Sequence, residues 1–186
     1  GNYSRILYPK ARLASQRITE FLKALGHEEV WRRFFRSYLA QATGEESAVI
    51  IDSTGLPNEI DIPLSAFGCH GGDIERETRL LMVVDQVSGM PLYFRYMAGN
   101  IVDVSTLATT LMELEHHGVK TAFALIDAGY FSQENIGQLY RNRIAFLTRL
   151  PAGRVLYKQL IRTHAQDLEK AEYAVVYGKR VLYVKR

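Results

Sequence analysis

Two aspartates are the first residues in this chain to suggest chemistry. Asp52 follows the apolar run Ala48-Val49-Ile50-Ile51, and Asp127 follows Phe123-Ala124-Leu125-Ile126. Each is a carboxylate at the C-terminal end of a short continuous apolar segment, the mark of a strand buried on both faces. A lone Asp after a strand is ordinarily a turn or helix-capping residue. Two at matched ends of the two most apolar strands are less ordinary. If those strands are parallel neighbours, their backbones lie roughly 5 Å apart. Carboxylates that close repel, and one should take up a proton. A divalent cation removes the conflict: Mg²⁺ and Mn²⁺ prefer hard oxygen ligands, and Mg²⁺ is commonly held by one or two carboxylates with water and phosphate. Two such ions about 4 Å apart can activate an attacking water or hydroxyl and stabilise the leaving oxygen of a phosphodiester. A third acid normally completes such a site.

The surrounding elements decide whether the two aspartates meet. Residues 5 to 42 read as helical. Ile18, Phe21, Leu22 and Leu25 follow helical spacing up to a stop at Gly26. A second helix carries Trp31, Phe34, Phe35, Tyr38 and Leu39 on one stripe and Arg32, Arg33 and Arg36 on the other face. The first strand ends in Asp52-Ser53-Thr54-Gly55. Residues 54 to 78, with Pro57, Pro63 and Gly71-Gly72, read as an extended loop or irregular hairpin. Arg79–Asp85 is a second strand, 86–89 a turn, and Pro91–Met97 a third strand; so short a link makes an antiparallel hairpin. Asp103 opens a helix with Val104, Leu107, Ala108, Leu111 and Met112, ended by Gly118. Thr121–Ile126 is the fourth strand. Ser132 caps a helix that buries Ile136, Leu139 and Tyr140, and Ile144–Thr148 is the fifth strand. After Pro151 a basic segment (Arg154, Lys158, Arg162) leads to a β-hairpin around Tyr177-Gly178-Lys179-Arg180.

Helical crossovers make the fourth and fifth strands parallel to a neighbour. With the fourth beside the first, the order is 3-2-1-4-5, a ribonuclease-H-like mixed α/β sheet with flanking helices. The expected organisation is a helical segment over 1–46, a core over 47–150, and a basic segment with a β-hairpin over 151–186.

Composition sets the outer bounds. The chain has 186 residues, 47% of them hydrophobic, enough for one globular core, and a formal net charge of +3 that permits a nucleic-acid partner without demanding one. Cys69 is the only cysteine, which excludes a disulfide framework and a cysteine-rich zinc site and suits a reducing cytoplasm. Asp85 interrupts the most apolar stretch short of membrane-spanning length. The Gly1 start and the VLYVKR ending inside a strand suggest a fragment. Other candidates have plain readings. Cys69-His70 is half a metal pair without its second half, in a loop. His116-His117 ends a helix, where a cation suits the dipole. Asp73, Glu75 and Glu77 read as a solvated loop face, and Gly99-Asn100 before Asp103 as a turn and helix cap. Neither a Walker-type or dinucleotide glycine loop nor a Gly-x-Ser-x-Gly elbow is present.

Asp52-Ser53-Thr54-Gly55-Leu56-Pro57, Gly99-Asn100-x-x-Asp103, and above all Asp127-Ala128-Gly129-Tyr130-Phe131 followed by Ser132-x-Glu134-Asn135-Ile136 together resemble bacterial DDE transposases, closest to the insertion-sequence-four type. The resemblance covers about residues 45 to 150 well and extends to the whole chain, with residues 151–186 read as the start of the family's β-rich insertion. It implies a ribonuclease-H-like fold, Asp52 as first and Asp127 as second catalytic acid, both binding metal, and two Mg²⁺ or Mn²⁺ ions in the complete site. It implies hydrolytic cleavage of double-stranded DNA at transposon ends, then transesterification into target DNA by a 3′-hydroxyl. It also allows a homodimer in a synaptic complex and implies a bacterial, nucleoid-associated protein with no membrane attachment. Arg32, Arg33, Arg36, Asn100 and Arg149 are the candidate DNA contacts. The family's final Glu lies in a helix with a Tyr, Arg, Glu and Lys signature. Glu169 and Glu172 do not fit it, so the third acid is expected beyond Arg186 and the fragment alone is expected to be inactive. Two alternatives stand beside this reading: a non-catalytic DNA-binding remnant of a transposase, and a small-molecule phosphotransferase that would form an aspartyl-phosphate on Asp52.

Overall fold

The computed structural model describes residues 9–10, 13–42, 46–70, 73–168, 170–177 and 180–183. The expected helix start near residue 5, the Gly71-Gly72 pair, Glu169, Gly178 and Lys179 in the terminal turn, and Val184 lie outside the described residues. Six strands form one sheet: β1 (Ser47–Pro57), β2 (Ala66–His70), β3 (Asp73–Asp85), β4 (Pro91–Ala98), β5 (Thr121–Ile126) and β6 (Ala145–Thr148). The order β4-β3-β1-β5-β6 is the expected ribonuclease-H-like 3-2-1-4-5 arrangement, with β2 added against the start of β3. β1 runs antiparallel to β3 and parallel to β5, and β5 parallel to β6.

The segment 54–78 is more regular than a loop. β1 continues to Pro57, and β2 with the first half of β3 makes a hairpin. Its prolines sit at the end of β1 and between strands, where no ladder donor is lost. Cys69 and His70 are therefore strand residues. Glu77 is no solvated loop residue: it lies on β3 with its side chain 0% exposed.

Burial alternates along β1. Ser47, Val49 and Ile51 are buried while Ala48 and Ile50 are half-buried and Asp52 is exposed, so one face is covered and the other open. This corrects the expectation of strands buried on both faces. The helices α1 (Ser15–Leu25), α2 (Glu28–Ala42), α3 (Leu107–His116), α4 (Gln133–Arg141) and α5 (Val155–Leu168) complete the described elements, with short 3₁₀ turns at Asp103–Ser105, Ala128–Tyr130 and Ala171–Tyr173. Leu107, Leu111 and Leu114 of α3 and Leu139 of α4 join Val49, Ile51, Leu81, Val83, Ala124 and Ile126 in the core. Ser132 caps α4 as expected, its hydroxyl accepting the Asn135 amide at 3.0 Å. Gly118 ends the α3 region in the left-handed conformation, at φ +89°.

Three apolar stripes depart from expectation. No residue of α1 is buried, and Phe21 and Leu22 are each 60% exposed. Tyr140 of α4 is also exposed and packs edge-on against Phe146. On α2, Phe35 and Leu39 are buried but Phe34 is exposed, stacked on Tyr38. The basic segment after Pro151 is helical as α5, followed by the expected hairpin of β7 (Ala174–Tyr177) and β8 (Arg180–Tyr183).

His117, expected to be a cation at a helix end, is instead buried between aromatic rings, with Phe35 and Tyr93 centroids 5.8 and 6.1 Å away. Burial lowers its pKa, with smaller lowering effects from His116, Arg32 and Arg36; Glu113, 3.7 Å away, opposes them. The folded chain thus favours the neutral ring. Stability from this residue is complete above the ordinary histidine value of about 6.5. It is lost as pH falls below that toward the depressed folded value, because the unfolded chain binds the proton more readily. In denaturant melts at stepped pH, His117→Gln should show a shallower acid-side fall than wild type; identical slopes would refute the assignment.

Candidate active site

The parallel register pairs Ile51 with Ile126, and Ile126 with Thr148. The next residue on each strand path is Asp52, Asp127 and Arg149. Two carboxylates and a guanidinium therefore stand in a row, Asp52 midway along β1 and Asp127 and Arg149 just past the ends of β5 and β6, with neighbouring backbones about 4.8 Å apart. The first strand does not end at Asp52 as expected: its ladder with β3 carries on to Pro57. They share the rim of an open groove with Ile50, Leu125, Leu147 and Thr148. Alternation explains why the acids reach it: Ile51 and Ile126 point into the core, so the residue after each turns to the open face. Both aspartates are exposed. The Ser53 amide donates to Asp52 Oδ1 at 2.8 Å and orients that carboxylate. Arg149 Nε lies 4.0 Å from Asp127 Oδ1, with the two side chains 81% and 57% exposed. A pair that solvated contributes little to stability.

Alternation also sends Ser53 to the covered face, where a second set of polar groups waits. The Ser53 hydroxyl donates to Asp103 Oδ1 at 2.5 Å. Arg79 Nη1 donates to the same oxygen at 3.2 Å and to the Ile101 carbonyl at 3.0 Å. Behind Arg79, its Nε is 3.9 Å from Glu77 Oε1; the Arg79 and Glu77 side chains are 10% and 0% exposed. Both Glu77 carboxylate oxygens lack a hydrogen bond, so Arg79 is their compensation. Asp103 is thus not the helix cap its sequence context suggests: its carboxylate reaches across to β1 and β3, and Val102 takes the cap position without a side-chain bond. The adjoining Gly99-Asn100 is a turn, as expected.

The turn after Asp127 closes onto the same place. The Tyr130 amide donates to the Asp127 carbonyl at 3.1 Å. A Cβ on Gly129 would stand 2.8 Å from Asp103 Oδ2, closer than side-chain carbons pack, so only glycine fits without a shift. Asn135 Nδ2 donates to the carbonyls of Val104 and Tyr130, each at 2.8 Å, joining the two 3₁₀ turns. The Tyr130 ring is fully buried; burial first, and then the Asp103 carboxylate, push its hydroxyl well above the ordinary tyrosine range, so it stays protonated. Ser53 and Thr106 lie beside that hydroxyl without completing a hydrogen bond of good geometry.

Residues 43–186 match the family described as the transposase DDE domain. The chain belongs to the DDE transposase family. The DDE domain is similar in structure to piggyBac transposase in a synaptic complex with hairpin DNA: the TM-score is 0.54 at 12% identity, covering 81% of this chain and 33% of that chain. It also aligns with Mos1 transposase in a paired-end complex with the left transposon end, at a TM-score of 0.38 and 12% identity over 88% of this chain and 61% of that one. The piggyBac likeness is one of fold. The chain spans less than two thirds of either protein. No curated protein sequence matches it.

Of the residues expected at the DDE site, the fold brings Asp52, Asp127 and Arg149 together. Asn100 is exposed in the turn after β4. Arg32 pairs with Glu28 at 2.8 Å on α2, which packs through Trp31 and Phe35 on β4, separated from β1 by β3. Arg33 and Arg36 are exposed on that same helix. Sequence reasoning missed the roles of Ser53, Glu77, Arg79 and Asn135. A charged residue at each of two alternate positions before the apolar stretch of β3 is the signal that could have marked Glu77 and Arg79.

A divalent ion fits the donor set of the groove. Two exposed carboxylates side by side, one on β1 and one just past β5, offer hard oxygens with room for water and phosphate oxygens, as Mg²⁺ and Mn²⁺ require. Among the described residues no group of three or more His, Cys, Asp or Glu forms a fuller cage. Among those residues, too, no helix is long and apolar enough to cross a membrane.

Proposed function

We propose that this DDE domain is the catalytic portion of a bacterial transposase of the insertion-sequence-four type, which cuts double-stranded DNA at transposon ends and joins the freed ends to target DNA. The observation that carries the reading is the β1–β5 register, which sets Asp52 beside Asp127 on the open face of the sheet. Asp52 and Asp127 hold Mg²⁺ or Mn²⁺ at the groove, with remaining ligands from water, phosphate and an acid outside the described residues. When bound, such ions lower the pKa of the attacking water or hydroxyl and stabilise the leaving oxygen. Arg149, exposed beside Asp127, is placed to meet a phosphate.

In the first reaction a water oxygen bonds to phosphorus and the bond to the 3′ oxygen breaks, that oxygen leaving as a hydroxyl. In the second, this hydroxyl attacks a target phosphodiester and displaces another 3′ oxygen, conserving the number of ester bonds. The test is cleavage of an end-containing duplex by the protein that carries this domain, with Mg²⁺, with Mn²⁺ and with chelator. Cleavage that persists in chelator overturns the proposal. DNA affinity without any metal-dependent cleavage would instead favour a binding remnant, with a steep salt dependence if phosphate contacts dominate.

A further inference from the structure

The covered face of the sheet holds a polar assembly that touches the chain beside both acids without reaching the groove. Asp103 is its centre. One oxygen, Oδ1, accepts from the Ser53 hydroxyl and from Arg79. The other, Oδ2, lies under the Gly129 backbone. Ser53 directly follows Asp52, and its amide orients the Asp52 carboxylate. Gly129 follows Asp127 by two residues, in the 3₁₀ turn that closes on the Asp127 carbonyl. One carboxylate thus bonds to the residue after Asp52 and packs against the turn after Asp127.

We infer that Asp103 is a positioning residue that sets the separation and orientation of Asp52 and Asp127 for metal binding. The inference rests on the metal-pair reading of those two aspartates. The physical argument is about rigidity. β5 ends at Ile126, so past that point no ladder bond ties Asp127 to β1. The two carboxylates also repel one another while no cation lies between them. Asp52 is held within β1 by its ladder with β3, so what needs fixing is the spacing of the chain past β5 from β1, and hydrogen bonds from a guanidinium are stronger than neutral ones. Arg79 holds Asp103 in place, and is itself held by the Ile101 carbonyl and Glu77. Asn135 then fixes the Asp103 turn to the Asp127 turn through Val104 and Tyr130. Outer-shell groups that orient metal ligands typically matter by about 10–100-fold in affinity or activity.

The experiment is a Mn²⁺ titration of the chain, with free ion read by electron paramagnetic resonance and thermal unfolding recorded for each variant. Asp52→Ala and Asp127→Ala should lose most Mn²⁺ affinity. Asp103→Asn, which removes charge and keeps shape, should weaken it by about tenfold or more. Ser53→Ala should weaken it too, with little change in thermal midpoint, and Ser53→Thr, which restores the hydroxyl, should return it toward wild type. The Ser53 pair decides the matter if Asp103→Asn does not fold. Retained affinity in Asp103→Asn and Ser53→Ala, with loss in the two alanine variants of the acids, overturns the positioning role alone. Ser53→Thr as weak as Ser53→Ala also overturns it, because the hydroxyl would then be irrelevant. Affinity unchanged by Asp52→Ala and Asp127→Ala, or no Mn²⁺ uptake by wild type, overturns the metal-pair reading and this inference with it.

Discussion

Asp52→Asn and Asp127→Asn are each expected to lower metal-dependent strand cleavage by about 10³-fold in the protein that carries this domain. Metal ions contribute several kcal/mol of charge stabilisation in the transition state, and each 1.36 kcal/mol is tenfold in rate. Asparagine keeps the shape of the side chain and loses the charge that attracts the ion. Because both residues are exposed, neither change should unfold the domain. As the proposed metal pair, side by side on β1 and just past β5, the two should act as a unit, so the double variant should be scarcely slower than either single one. Single-turnover cleavage in Mn²⁺ gives the rates, and duplex binding measured in parallel separates chemistry from affinity. A loss under tenfold in either variant would remove that residue from the chemistry.

Arg79→Met should produce the largest loss of stability, about 3–5 kcal/mol, the usual consequence of leaving a buried charge without its partner. Here two carboxylates are abandoned at once, Glu77 fully buried and Asp103 at 21% exposure. Methionine can fill much of the space, so the cost is electrostatic rather than a cavity. Adding Glu77→Gln to Arg79→Met should recover part of the loss, because the charge that Arg79 offsets is then gone. Arg79→Lys should fall between, since a single ammonium cannot both take the place of Nη1 between Asp103 and the Ile101 carbonyl and face Glu77 as Nε does. Chemical denaturation with midpoint and slope recorded together measures all three. Arg79→Met within 1 kcal/mol of wild type would mean that the buried ion chain does not support the fold.

The DDE fold and the acidic pair are legible because they rest on local patterns. Apolar runs that stop at Asp52 and Asp127, helical spacing in 107–114, and short turns such as Asp85–Met90 each declare themselves within a few residues. The strand order follows from those pieces and from the constraint on crossovers. The ion chain is not legible in the same way. Glu77 and Arg79 sit among Glu75, Arg76 and Thr78, a stretch as polar as any loop, and the partner that Arg79 meets, Asp103, lies far along the chain. Asp103 itself stands in a good position to start a helix, which hides its cross-sheet partner. The stripe on α1 fails for the opposite reason: the pattern is present, but none of its residues is buried. In α5 the basic residues Lys158 and Arg162 mask Leu156, Leu160 and Ile161, whose spacing is helical. Resemblance to a family supplied what periodicity could not, the roles expected of the two acids, and the β1–β5 register sets Asp52 beside Asp127.

The parallel pairing of β1 with β5 also bears on the order of events in time. The β2–β3 and β3–β4 hairpins join segments close in sequence, whereas Ile51 meets Ile126 only after α3 has crossed over. Contacts of such long range bear a larger loop-closure entropy, and in small domains they slow folding. The two carboxylates are therefore expected to come together late, on the native side of the rate-limiting barrier. A cation that needs both would stabilise the folded state and leave the transition state untouched. In stopped-flow experiments, millimolar Mn²⁺ should slow unfolding of the domain and leave its refolding rate unchanged. Faster refolding in Mn²⁺ would place the β1–β5 pairing early instead, with the site already formed before the rest of the sheet.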